Sequence, residues 1–203
     1  LEENILNKGK AGVIEALENI DAAIEYFVGE TDYAISTKFD GSPAIVAGLD
    51  SDGLFFVASK SAFRQDPLIN YTHEDINNNH KGPGLSDKLH SALDYLPSLG
   101  LKGIYQMDYM FDSSPVEPGT YGTGKSVATP ANIDGIKNNN EFIAFKPNTI
   151  IYAVSPDSPY GNDIKNAQIG VAIHIEYQVV KGILKVKKYT SSPSEFKSSK
   201  DVF

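Results

Sequence analysis

Apolar positions fall in two distinct rhythms along this chain. Between residues 10 and 28, Val13, Leu17, Ile20, Ile24 and Phe27 recur at spacings of three and four, which predicts an amphipathic helix. Gly29 stands where such a helix stops. Residues 33–37, 44–48 and 54–58 are short apolar runs, and Asp50-Ser-Asp-Gly53 between the last two is a turn signal, so 44–58 reads as a hairpin. A second helix is predicted over 85–99, with Ser86 as its cap, Leu89, Leu93 and Leu96 facing inward and Pro97 ending it. Residues 103–111 alternate as a strand, with Tyr105, Met107, Tyr109 and Phe111 on one face and Gln106, Asp108 and Met110 on the other. Strands follow over 142–145, 149–154, 169–177 and 179–189, with a turn region over 155–161 and a turn at Lys181-Gly182.

Two long polar excursions, 64–84 and 112–140, interrupt this pattern, the first with room for one turn of helix. Loops of such length are more often functional than idle. The tally is at least seven strands and two helices, with hairpin signals outnumbering crossovers. It predicts an α+β fold of mostly antiparallel sheets with flanking helices. The organisation expected is an N-terminal helix packed on the core over 1–30, a main domain over 31–189, and a polar, mobile tail over 190–203.

Composition narrows the chemistry. The 203 residues suit one domain with a small appendage. No cysteine is present, which removes disulfides, thiolate nucleophiles and cysteine-based zinc sites. A net charge of −8 argues against a basic footprint for nucleic acid over the whole surface. A local basic patch is still available, because Lys181, Lys185, Lys187, Lys188, Lys197 and Lys200 crowd the last quarter. No run of eighteen apolar residues or secretory leader pattern is visible, so the expectation is a cytoplasmic protein without a membrane partner. The chain begins at Leu1 and is expected to be a piece of a longer one.

Three sets of residues carry candidate chemistry. Gly119-Thr-Tyr-Gly-Thr-Gly-Lys-Ser126 has the spacing of a phosphate-binding P-loop. That loop works between a buried strand and a helix whose first amides hold phosphate. Asp112–Pro118 before it and Pro130 after it leave little room for either. His73 and His80 lie in the first long excursion beside Glu74 and Asp75, a weak metal candidate, and His174 on an apolar strand reads as a satisfied core or edge histidine. The third set is Lys38-Phe-Asp-Gly41, where an amine and a carboxylate two residues apart share one face of a strand and a glycine frees the backbone behind them.

Through Lys38-Phe-Asp-Gly41 the chain resembles the covalent nucleotidyltransferases, the superfamily of ATP-dependent DNA and RNA ligases and capping enzymes, whose first motif is Lys-x-Asp-Gly. The resemblance implies that Lys38 is the nucleophile, with Asp40 and Gly41 in the other fixed places. Ser42-Pro43 departs from the arginine that often follows. Ser59-Lys60 stands for the Ser/Thr-Arg pair after a hairpin strand, with Arg64 nearby as a compensating fork. Asp108 stands for the acid at a strand end that contacts the sugar. Glu141-Phe-Ile-Ala-Phe-Lys146 resembles the fourth motif without its glycine, which implies a metal contact for Glu141 and a phosphate contact for Lys146. A rival alignment makes 142–154 a structural hairpin and 169–177 the strand that precedes the fourth motif, placing that motif beyond Phe203. Lys185-x-Lys187 resembles the last motif, whose lysines touch the α-phosphate.

The resemblance implies a ligase adenylation-domain, ATP-grasp-like fold, ATP and Mg²⁺ as cofactors, and a role in nucleic-acid repair in a virus or mobile element, in the host cytoplasm if viral. The expected activity is an ATP-dependent polynucleotide ligase-like adenylyltransferase. It forms lysyl-AMP at Lys38 and passes AMP to a 5′-phosphate of DNA or RNA. The partners are then a nucleotide and a nucleic acid held by a local basic patch or a missing domain. Two alternatives stand beside it: an inactive nucleotidyltransferase-like module for binding or assembly, and a P-loop phosphotransferase using 119–126.

Overall fold

The computed structural model describes residues 5, 8–29, 41–129, 141–189 and 198–203. The chain divides into two compact units, residues 1–38 and 39–203.

In the first unit, helix α1 (Lys10–Val28) follows the three-and-four spacing of its apolar residues. It ends at Gly29, whose φ of 77° lets its amide reach back to the carbonyls of Glu25 and Tyr26. The strand expected over 33–37 lies outside the described residues, as do Lys38 and Asp40.

The second unit is an α+β fold on two antiparallel sheets. Its hairpin runs from β1 (Ala44–Leu49) to β2 (Phe55–Ala58). The carboxylate of Asp50 ties the turn between them, accepting from the amides of Asp52 and Leu54 at 2.9 Å each. With β3 (Ile104–Asp112), β7 (Ile169–Val180) and β8 (Ile183–Tyr189) these strands form a five-stranded sheet in the order β2-β1-β3-β7-β8. Lys181 and Gly182, both at positive φ, form the two-residue turn between β7 and β8. The smaller sheet has the order β4-β5-β6, from β4 (Ser126–Ala128), β5 (Phe142–Phe145) and β6 (Tyr152–Val154).

The alternation of β3 organises three apolar clusters. Its odd-numbered residues Tyr105, Met107 and Tyr109 join Ile45, Ala47 and Val57, covered by Ile76 of α2 (His73–Asn79) and Leu89 and Ala92 of α3 (Leu85–Tyr95). On the opposite face Ile104 packs with Val46, Phe56, Ala58 and Ala62. Farther along, Met110 and Phe111 meet Ile143 and Phe145 of the smaller sheet and Ile164 of α4 (Gly161–Asn166). The long strand β3 therefore holds both sheets in one unit.

Several elements differ from expectation, each for a local reason. The second helix leaves α geometry at Leu96, and 96–99 continue as a 3-10 turn around Pro97, which lacks the amide that an α-helix needs. Gly84, not Ser86, occupies the cap, its amide held by the Asp87 carboxylate at 3.1 Å, while Ser86 is buried. The excursion over 64–84 holds two turns of helix in α2, started by a reciprocal Thr72–Asp75 capping box. Strand β4 and helix α4 are too short to leave a readable period. The end of the chain is not a polar tail over 198–203. Val202 is fully buried and Phe203 packs on the second core, because residues 201–203 run alongside the start of β7. The rest of the expected tail, 190–197, lies outside the described residues.

Candidate functional site

The motif around Lys38 enters the described chain at Gly41. Residues 41–43 extend the β1 edge alongside β3: Ser42 donates its amide to the Tyr109 carbonyl and Tyr109 donates to the Pro43 carbonyl, both at 3.0 Å. The Gly41 amide is not taken by the ladder. It donates to Oδ2 of Asp108 at 3.1 Å. This spot demands glycine, because a Cβ there would lie 2.6 Å from the Tyr109 carbonyl oxygen and 2.8 Å from both Asp108 Cβ and Met110 Sδ.

Asp108 lies on the face of β3 opposite α3, in the even-numbered row with Ile104 and Gln106. Its side chain is 14% exposed, so the carboxylate has lost most of its water and needs donors around it. Beside the Gly41 amide stands His174 of β7, with Nε2 3.2 Å from Asp108 Oδ2. That is ion-pair distance, though the two atoms are not aligned as a hydrogen bond and Nε2 is buried. A register shift in the β3–β7 ladder, between Gln106 and Met107, places His174 there. On the same face Tyr177 donates its hydroxyl to Gln106 Oε1 at 2.9 Å. The sequence marks His174 only as a core or edge histidine, because its neighbour is 66 residues away and the bulge that presents it has no local signature.

The turn that carries Lys60 is laid on this same face. Residues Lys60–Phe63 form a 3-10 turn capped by Ser59, whose hydroxyl accepts from the Ser61 amide. Ala62 packs with Val46, Phe56 and Ile104, and the Phe63 ring lies 5.2 Å from that of Tyr177 while staying partly exposed. Lys60 is exposed at the start of the turn and Arg64 follows its end. Arg64 works together with burial, the larger effect, to hold the His80 imidazole below its usual pKa.

The remaining candidates go elsewhere. Glu141 and Lys146 flank β5 in the smaller sheet, and a strand rise of ~3.3 Å per residue keeps them well apart. β5 and β6 pair antiparallel, so 142–154 is the structural hairpin of the rival alignment. Lys185 and Lys187 alternate with Leu184 and Val186 on β8, and Tyr177 pairs with Val186, so the two lysines point to the face opposite Asp108. Lys187 pairs there with buried Glu176 at 2.7 Å.

The glycine-rich loop is also committed to structure. Residues 126–128 form strand β4 where a P-loop needs a helix. Lys125 donates to the carbonyls of Ile164 and Lys165 at 2.9 Å and to that of Ala167, so it caps the C-terminal end of α4. Burial pushes its ammonium below the usual lysine pKa, with Asp112 opposing the shift. Two hollows of about 230 and 280 Å³ lie around this loop, lined in part by Glu117, Thr120 and Tyr121. Both fall short of the roughly 300 Å³ at which small-molecule sites begin.

Among the described residues no group of three or more His, Asp or Glu is placed to hold a metal ion. Nor is any helix there long and apolar enough to cross a membrane.

The class these features define is an α+β domain whose acidic strand residue faces an incoming loop. The chain belongs to a family of unknown function, DUF6267, whose model matches residues 1–202. No curated protein and no solved structure matches it.

Proposed function

We propose that this chain is a covalent nucleotidyltransferase of the polynucleotide-ligase type, with an adenylation-domain, ATP-grasp-like arrangement of its sheets. The observation that carries the reading is the 3.1 Å hydrogen bond from Gly41 to Asp108. It brings the last residue of Lys38-Phe-Asp-Gly41 against the acid that the same resemblance singles out 67 residues later. The turn bearing Lys60 lies on that face, and its Phe63 is partly exposed, available for contact with a base.

In this reading the neutral amine of Lys38 attacks the α-phosphorus of ATP. A P–N bond forms, the α–β phosphoanhydride bond breaks, pyrophosphate leaves and the amine's proton goes to solvent. The lysyl-AMP then gives its nucleotide to a 5′-phosphate of DNA or RNA, and a 3′-hydroxyl displaces AMP to close the strand. Asp108 takes a ribose hydroxyl and Lys60 a phosphate. Glu141, exposed and beside the smaller sheet, does not fit a metal-holding role, and Mg²⁺ enters only as part of the Mg-ATP substrate. Lys146, Lys185 and Lys187 take no part.

A second reading, a nucleotidyltransferase-like module that binds without catalysis, is favoured by the direction of Lys185 and Lys187 away from Asp108. ATP labelled at the α-phosphate separates the two. Label that survives denaturation and disappears in Lys38→Ala supports transfer. Reversible binding without covalent label supports the module, and label kept in Lys38→Ala removes Lys38 as nucleophile.

A further inference from the structure

His73 and His90 come from different helices and meet edge to edge. His73 opens α2, and His90 lies in the middle of α3 with Asp94 one turn beyond it on the same side. The two rings are nearly parallel, 24° apart with centroids at 4.9 Å, and their Nδ1 atoms are 2.6 Å apart. Each ring is held from behind through its other nitrogen. His73 Nε2 lies 3.0 Å from Asp94 Oδ1, and His90 Nε2 lies 3.1 Å from Asn77 Oδ1.

The Asp94 carboxylate can only accept, which favours the Nε2–H tautomer of His73 and leaves its Nδ1 with a lone pair. That lone pair faces His90 Nδ1 at 2.6 Å, a distance that calls for a proton or a cation between the two nitrogens. A shared proton satisfies the observed spacing. A tetrahedral metal ion with N–ligand bonds of 2.0–2.1 Å needs the nitrogens about 3.3 Å apart, a separation reached by opening the rings by less than an ångström. His73 and Asp94 are each half exposed, so an ion has direct access. The backing acceptors are the second-shell arrangement that fixes tautomer and raises ligand basicity in metal-bound histidines.

We propose that His73 and His90 form a two-imidazole site for a divalent transition-metal ion of the zinc–nickel–copper class, with solvent completing the coordination. Imidazole suits these ions, whereas Mg²⁺ and Ca²⁺ prefer oxygen. The site clips α2 to α3 and stabilises the folded unit by mass action. It is separate from the Asp108 face, because α3 covers the opposite side of the five-stranded sheet.

The test uses the whole chain, freed of metal with a chelator and titrated with Zn²⁺ and with Ni²⁺. Calorimetry is expected to show one equivalent bound by the wild type. Binding is expected to vanish in His73→Ala and in His90→Ala, each checked by circular dichroism, and to weaken about tenfold or more in Asp94→Ala. Nitrogen-15 spectra of the wild type keep the question open to decision if a variant misfolds: Zn²⁺ should shift Nδ1 of His73 and His90 and leave the nitrogens of His80 and His174 in place. Absence of binding by both metals, full binding in either histidine variant, or a shift confined to other histidines would overturn the proposal.

Discussion

The backbone amide of Gly41 donates to Oδ2 of Asp108 across 3.1 Å, joining a loop residue to the middle of the sheet's central strand. The absence of a side chain at Gly41 is what permits the approach. A methyl group there meets backbone and Cβ atoms of β3 at 2.6–2.8 Å, closer than carbon atoms pack. Gly41→Ala is expected to lower stability by about 1–3 kcal/mol, the usual cost of overpacking. It is also expected to reduce nucleotide labelling more than it reduces the folded fraction. Urea denaturation alongside labelling checks both. Unchanged stability would mean that the loop does not lie against β3.

Asp108 is expected to separate structure from chemistry. Asp108→Asn keeps an acceptor for the Gly41 amide and removes the charge beside His174, so the fold should persist. Asp108→Ala leaves the Gly41 amide without its acceptor and His174 without its neighbouring carboxylate, and should cost about 1–3 kcal/mol. Both are expected to weaken ATP binding, measured by calorimetry. Binding unchanged in Asp108→Asn would remove this residue from the site.

Lys125 discriminates between a structural and a phosphate-binding glycine loop. Lys125→Met removes the ammonium that caps Ile164, Lys165 and Ala167, and should destabilise by about 1–3 kcal/mol, as for other charge-assisted hydrogen bonds. ATP labelling per folded molecule should stay at the wild-type level. Abolished nucleotide binding in a folded Lys125→Met protein would restore the P-loop.

The acid limb of stability should report the Thr72–Asp75 capping box. Hydrogen bonds from the Thr72 side chain and the Tyr71 amide hold the Asp75 carboxyl below its ordinary 3.8. A depressed folded-state value means stability that is present above about pH 4 and lost as pH falls through the folded value. Asp50 acts in the same direction, chiefly through the Leu54 amide. Thr72→Ala is therefore expected to lower stability at neutral pH and to flatten its fall below about pH 4. Denaturation midpoints across that range check it, and an unaltered slope would contradict the role given to the box.

The hairpins were legible because a period of two and a turn signature both lie within a dozen residues. The 44–58 and 169–189 pairs came from Asp50-Ser-Asp-Gly53 and Lys181-Gly182, and Asp108 was assigned to the polar row of its strand. What escaped the sequence depended on long-range pairing. Helix α4 and strand β4 are set by contacts with Lys125 and β5 rather than by a run of their own. Register shifts near Gln106 and Glu176 decide which face His174 and Lys187 present, and such a shift changes parity without any local mark. The partner of His73 is His90, seventeen positions away on another helix, whereas the expected partner His80 turns inward toward Asn70. Lys38 and Asp40 lie outside the described residues.

The most direct measurement is the intact mass of the protein after incubation with Mg-ATP, followed by peptide mapping. Covalent nucleotidyl transfer at Lys38 predicts a mass gain of one AMP, located on the peptide that carries Lys38, reversed by added pyrophosphate and absent in Lys38→Ala. No adduct with ATP or GTP, or an adduct on any other residue, would contradict it.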